Sequence, residues 1–204
     1  MKKFSISFWV SLLLFIALLS ACATTTPTAV WKDPSYHARP AKVMVIGVAK
    51  NPLNRRLFED EFVVQLKARG TEAIASYTVL SDQLQDDQQA VALKVRELGA
   101  DSVLISRLVS KKTVRVYVPG TVYYLPPLYN TWPDYYGYRY LYTPDYVAED
   151  EYAIIETNLY QAGSDRLVWA ATAETGLNGS DAKLIKSYIG TMVDTMAKDG
   201  LLGE

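Results

Sequence analysis

Cysteine and histidine are almost absent: Cys22 and His37 are the only ones in 204 residues. A single thiol excludes an internal disulfide framework and any multi-cysteine zinc site. A lone imidazole leaves most histidine-based catalysis and metal chemistry without a second group to share the work, and His37 reads as a solvated linker side chain. No sign of charge dominates, with 21 Lys+Arg against 22 Asp+Glu. Nucleic-acid binding draws on a surplus of cations, so that class is disfavoured. No G-x-S-x-G elbow occurs. Gly47-Val48-Ala49-Lys50-Asn51 lacks the second glycine and the Lys-Ser/Thr pair of a phosphate loop and reads as a strand exit. Half of the residues are hydrophobic, which excludes a disordered or collagen-like chain and allows one or two domains with a real core.

The N-terminus carries the strongest signal. Lys2 and Lys3 form a basic start, residues 4–19 are apolar apart from Ser5, Ser7 and Ser11, and small residues follow. These are the three parts of a secretory signal. The other reading is an uncleaved membrane helix, but about 16 apolar residues are short for a span of about 20, and no basic stop-transfer flank follows. Leu19-Ser20-Ala21-Cys22 resembles the lipobox of bacterial lipoproteins. That resemblance implies a diacylglyceryl group on Cys22, cleavage before it and acylation of the new amine. Residues 1–21 are then a signal peptide, and the covalent lipid on Cys22 is the only expected cofactor-like group. Ala23 stands where an Asp holds enterobacterial lipoproteins in the inner membrane, so the implied location is the periplasmic face of the outer membrane. Cleavage leaves 19 basic and 22 acidic residues, with no polybasic patch for electrostatic anchoring.

Residues 22–41 contain Pro27, Pro34 and Pro40 and read as a flexible tether. The domain is expected over residues 42–202. Residues 43–49 form a short β-branched run suited to a strand buried on both faces. Residues 55–69 place Leu57, Phe58, Phe62 and Leu66 on one helical face, with Glu59, Asp60 and Glu61 near its start and Gly70 as its stop. Residues 71–77 read as a second strand. Leu84, Val91, Val95 and Leu98 make another helical stripe ending at Gly99, and residues 101–108 a third strand. This alternation predicts parallel pairing through right-handed crossovers. Residues 111–119, 149–161 and 166–174 read as further strands, with residues 162–165 as a hairpin turn. Leu184, Ile185, Tyr188, Ile189, Met192, Val193 and Met196 form the buried stripe of a last helix, between Ser180 and Gly200. The expected fold class is α/β: a three-layer mixed sheet with a βαβαβ start, then antiparallel strands and a C-terminal helix.

Residues 117–146 do not fit core-building. They hold ten tyrosines, Trp132 and five prolines, which exclude a regular helix or central strand. The segment reads as a long loop inserted between two strands. Tyr123, Tyr124, Tyr129, Trp132, Tyr135, Tyr136, Tyr138, Tyr140 and Tyr142 are its candidate partner-binding residues, because tyrosine offers large, stiff contact area with a polar tip. Three readings stay open: a recognition loop for a protein, glycan or peptidoglycan partner, a flap folded on its own domain, and a membrane-inserting hairpin. Acids cluster at residues 59–61, 86–87 and 149–151. Paired carboxylates can hydrolyse glycosides, but adjacent acids on helix starts and strand edges are usually solvated, so no catalytic residues and no metal site are expected.

The stretch Asn158-Leu159-Tyr160-Gln161-Ala162-Gly163-Ser164-Asp165-Arg166-Leu167-Val168-Trp169 resembles a recurring hairpin of periplasmic lipoproteins. With VMVIGVA at 43–49, FEDEFVVQLKARG at 58–70 and LGADSVLISRL at 98–108, the order is similar to the domain shared by the curli-secretion lipoprotein family. The N-terminal domain of the translocation protein TolB and the lipoprotein activators of peptidoglycan synthases look related, as do uncharacterised lipoproteins of this type. The resemblance covers residues 42–202 and implies an α/β module that binds partners rather than turning over substrate. Only Cys22 carries over as a functional residue. The implied role is a non-enzymatic binding or scaffold module of the cell envelope, contacting an envelope protein or peptidoglycan. A subunit of an oligomeric export or envelope-assembly complex, and hence a homo-oligomer, is the alternative. The Tyr/Pro insertion matches no membrane hairpin of the secretion pore.

Overall fold

The computed structural model describes residues 25–81, 83–84, 87–122 and 142–203. In chain order the elements are β1 (Thr25–Lys32), β2 (Lys42–Val48), α1 (Pro52–Ala68), β3 (Glu72–Ala75), a short 3₁₀ turn (Ser76–Thr78), α2 (Gln88–Glu97), β4 (Ser102–Val118), β5 (Thr121–Val122), β6 (Tyr142–Thr143), β7 (Tyr146–Gln161), β8 (Arg166–Gly176) and α3 (Asp181–Lys198).

The continuous apolar run becomes the centre of the parallel half of the sheet. Val43, Met44, Val45 and Ile46 are at most 8% exposed, as a strand covered on both faces requires. β2 lies between β3 and β4 and runs parallel to both. The chain steps one way to reach β3 and the other way to reach β4. Right-handed crossovers then place α1 and α2 on opposite faces of the sheet. Val43 and Val45 point to α1 and α3, where Phe62, Leu66, Tyr188, Ile189, Met192, Trp169 and Leu159 complete the main core. Met44 and Ile46 point to α2, against Val95, Leu80 and Ala100. Six strands in the order β1-β8-β7-β4-β2-β3 make one mixed sheet, so the three-layer α/β expectation holds.

The helix ends follow local chemistry. The Asn51 side chain accepts from Leu53 N at 2.9 Å and Pro52 opens α1, so the strand exit leads directly into a helix start. At the far end Thr71 N reaches Leu66 O and Gly70 N reaches Lys67 O, with Gly70 at φ 81°, a left-handed cap that glycine adopts without strain. Leu201 N to Met196 O and Gly200 N to Ala197 O repeat this pattern after α3. The buried stripe of α3 runs through Tyr188, Ile189, Met192, Val193 and Met196, with Leu184 and Ile185 half-buried.

Four expectations need correction. The stretch read as tether contains β1, which pairs antiparallel with β8 from Thr25↔Thr175 to Lys32↔Trp169. Pro27 is tolerated because β1 is an edge strand and its register shifts beside that residue. Tyr36, also in that stretch, is buried in the main core. The strands read as separate at residues 101–108 and 111–119 are one strand, β4; its polar middle is a register shift between Leu108 and Ser110, not a break. The second strand is shorter than residues 71–77, because Ser76–Thr78 turns into a 3₁₀ helix. On α1 the inward face is Arg55, Glu59, Phe62 and Leu66, while Leu57 is 38% exposed.

Candidate interaction surface

β4 and β7 are far longer than their neighbours. β2 pairs with β4 only through residue 107, and β8 pairs with β7 only from residue 152 onward. From Thr113↔Glu151 to Val118↔Tyr146 no third strand pairs with them, which leaves a two-stranded ribbon of six register pairs and about 20 Å, braced at its base by Leu177 N donating to Glu151 O at 2.7 Å. β5 and β6 follow as a second pair, Thr121↔Thr143 and Val122↔Tyr142. The described chain therefore breaks off at Val122 and resumes at Tyr142, past the last pair of the projecting ribbon.

The ribbon changes character along its length. Its first three pairs, Thr113↔Glu151, Val114↔Asp150 and Arg115↔Glu149, are rich in charge, and Arg115 Nε donates to Glu149 Oε1 at 2.7 Å. Nearer the body the same polar character continues, with Lys112 Nζ 3.3 Å from Glu174 Oε1 and Arg107 Nη2 3.0 Å from Glu156 Oε2. Asn158 Nδ2 donates to Glu156 at 2.7 Å, and that bond, with Arg107 beside it, holds the Glu156 carboxyl below its usual range. The last three pairs are Val116↔Ala148, Tyr117↔Val147 and Val118↔Tyr146, with no charge among them. Val116, Tyr117, Tyr146 and Val147 are 47–62% exposed. Tyr117 Oη donates to Asp145 Oδ2 at 2.8 Å, and this bond pushes its phenol pKa up.

Tyr123, Tyr124, Tyr129, Trp132, Tyr135, Tyr136, Tyr138 and Tyr140 lie outside the described residues, as does Cys22. Tyr142 sits in β6. His37 is exposed, beyond the end of β1. The contact-ready residues that sequence reasoning passed over are Val116, Val118, Val147 and Ala148. Their signal was the uncharged stretch next to the acids at 149–151, but alternation alone reads them as half-buried.

The acid clusters have structural work. Glu59 is fully buried beside Arg55, whose Nε lies 2.9 Å from Glu59 Oε1. The same carboxylate also accepts from Gly47 N, Ser76 Oγ and Tyr77 N at 2.8–3.0 Å, and Arg55 Nη2 reaches Ser76 Oγ at 2.8 Å. This network ties α1 to the ends of β2 and β3, and α1 packs closely there. A Cβ on Gly47 would come within 3.3 Å of Phe58 Cδ1 and 3.4 Å of Glu59 Cγ. Asp60 accepts from Tyr77 Oη, and Glu61 from Gln65 Nε2. Asp87 caps α2 by accepting from Gln89 N and Ala90 N, while Asp86 lies outside the described residues. Among the described residues no group of three or more His, Cys, Asp or Glu is placed to hold a metal ion, and no helix is long and apolar enough to cross a membrane.

No family model and no curated protein matches the chain. Solved structures resembling it include the PelC dodecamer from Paraburkholderia phytofirmans, at 14% identity and TM-score 0.49, covering 88% of this chain and 99% of that one. Lipoprotein GNA1162 from Neisseria meningitidis is similar at 13% identity and TM-score 0.43, over 78% of this chain and 99% of that one. A neuraminyllactose-binding hemagglutinin homolog from Helicobacter pylori follows at 12% identity and TM-score 0.31, over 82% and 91%. Identities and scores this low assign neither a family nor a function.

Proposed function

We propose that this chain is a lipid-anchored, non-enzymatic binding or scaffold module of the bacterial cell envelope. It is held by Cys22 at the periplasmic face of the outer membrane and makes its contacts through the β4–β7 ribbon and the aromatic segment that the ribbon carries. One observation carries the reading: a long two-stranded arm leaves the body and ends in apolar and aromatic pairs that its own domain does not cover. A free two-stranded ribbon is marginal in water, and exposed apolar ends of this kind mark surfaces that meet something else. The lipobox supports the anchor, and the packed sheet behind the ribbon supports a scaffold role.

The test excises residues 121–143 and closes the ribbon with Asn-Gly. The shortened protein should keep its melting temperature within a few degrees and lose its envelope contacts, read by in-cell photo-crosslinking from the ribbon and mass spectrometry. An unchanged set of crosslinks would overturn the proposal.

A further inference from the structure

The chain enters the sheet on the same side as the ribbon leaves it. Thr25 is in register with Thr175, Thr175 with Ala153, and Ala153 with Lys111. β1 runs from that level back into the body, so Thr25, the first described residue, lies at the ribbon's edge of the sheet. Past the same level β4 continues from Lys111 to Val118, a further 20 Å or so. Cys22 is three residues from Thr25. Three residues reach at most about 11 Å. Two strand spacings, roughly 10 Å, separate β1 from β7 sideways. A bilayer close enough to take the acyl chains of Cys22 therefore lies within the span of the ribbon.

We infer that the apolar end of the ribbon, Val116, Tyr117, Val118, Tyr146, Val147 and Ala148, is seated in the interface of the bilayer that holds the Cys22 lipid. The domain then stands on the membrane at two points. This rests on the reading of Cys22 as the anchor. The chemistry fits an interface rather than a hydrocarbon core. Tyrosine favours the headgroup level, where its ring is apolar and its hydroxyl wet. A two-stranded ribbon keeps unpaired backbone groups along both outer edges, so it cannot pass into the acyl region. From Val116 to Ala148 the sequence contains only three charges, Asp134, Arg139 and Asp145, and the charged band at Thr113–Arg115 and Glu149–Glu151 starts where the apolar pairs stop. In that band Arg115 faces Glu149, while Asp150 and Glu151 stand opposite Val114 and Thr113, so one cation meets three acids; anionic lipid gains no attraction there and the contact is apolar.

The test uses the full acylated protein in phosphatidylethanolamine–phosphatidylglycerol vesicles with brominated acyl chains. A polarity-sensitive fluorophore is placed on Val147→Cys, or on Gly163→Cys at the opposite end of the sheet; the acylated Cys22 sulfur does not react. The Val147 probe should shift to the blue and be quenched several-fold more than the Gly163 probe, with no change between about 0.05 and 0.5 M NaCl. Adding Val116→Asp should abolish that quenching and leave the near-UV spectrum of the body intact. Equal quenching at the two positions, or quenching removed by salt, would overturn the inference. So would oxidative disulfide dimers through Val147→Cys, which would name a second copy as the occupant. The mass of the Cys22 peptide is read separately. An unacylated Cys22 overturns the anchor and the seating together, whereas an acylated Cys22 with an unquenched Val147 probe overturns only the seating.

Discussion

The two halves of the β4–β7 pair share one ladder and differ in everything around it. In the body, Ser102, Leu104 and Ser106 are buried against α1 and α3, and Leu159 and Thr157 opposite them are fully buried. Ser106 Oγ, Thr157 Oγ1 and Tyr188 Oη form a buried hydrogen-bonded chain there. In the arm, the same strands present both faces to their surroundings. Backbone pairing is equal in the two halves, so pairing cannot be what distinguishes them. Burial makes one half part of the folding unit and leaves the other half as a surface. The body should respond to substitution through stability, and the arm through contact.

The largest effect that would sharpen this contrast is expected at the buried ion pair. Glu59→Leu removes the buried carboxylate that Arg55, Gly47 N, Ser76 Oγ and Tyr77 N share, and should cost about 3–5 kcal/mol in urea unfolding. The double variant Arg55→Met with Glu59→Leu should recover a large part of that loss. A single variant as stable as the parent would break the view that this network clamps α1 to the sheet.

Next comes the direct comparison along one strand. Leu104→Ala opens a cavity in the main core and should cost about 2–5 kcal/mol, whereas Val116→Ala in the arm should stay within about 0.5 kcal/mol. Equal losses at the two positions would mean that the ribbon end is packed against the body.

The smallest effect is at Tyr188. Burial raises its phenol pKa well above the ordinary value, since the phenolate has no water there. The unfolded chain ionises near pH 10 and the folded one does not, so stability falls as pH rises past about 10. Tyr188→Phe should lose about 1 kcal/mol at neutral pH by breaking the 2.5 Å bond to Thr157. It should also flatten that alkaline slope in part, because burial raises the Tyr36 phenol in the same direction. An unchanged alkaline melt would show that Tyr188 is not a source of the slope.

Much of the body was legible because its signals are local. The β-branched run at 43–48, the stripe from Tyr188 to Met196 and the glycines after α1 and α3 each specify an element through periodicity or backbone freedom. β1 was not legible, since TTPTAVWK has no alternation to distinguish an edge strand from a linker; Thr25 is recognisable only beside Thr175 and Ser187. The inward face of α1 was misjudged for a related reason. Charged residues are normally assigned to solvent, and only Ser76 and the amides of Gly47 and Tyr77, far away in sequence, make a buried Glu59 tolerable.

The residues by themselves determined the α/β class, most helix limits and the odd aromatic stretch, because hydrophobic period and turn chemistry act within a few positions. Tertiary structure alone decided that β4 and β7 outrun the sheet, that their last pairs are bare, and that Thr25 lies at the edge from which they project. Those are matters of register between strands up to 150 residues apart, and a pairing register depends on which neighbours remain to cover it, which no local window contains.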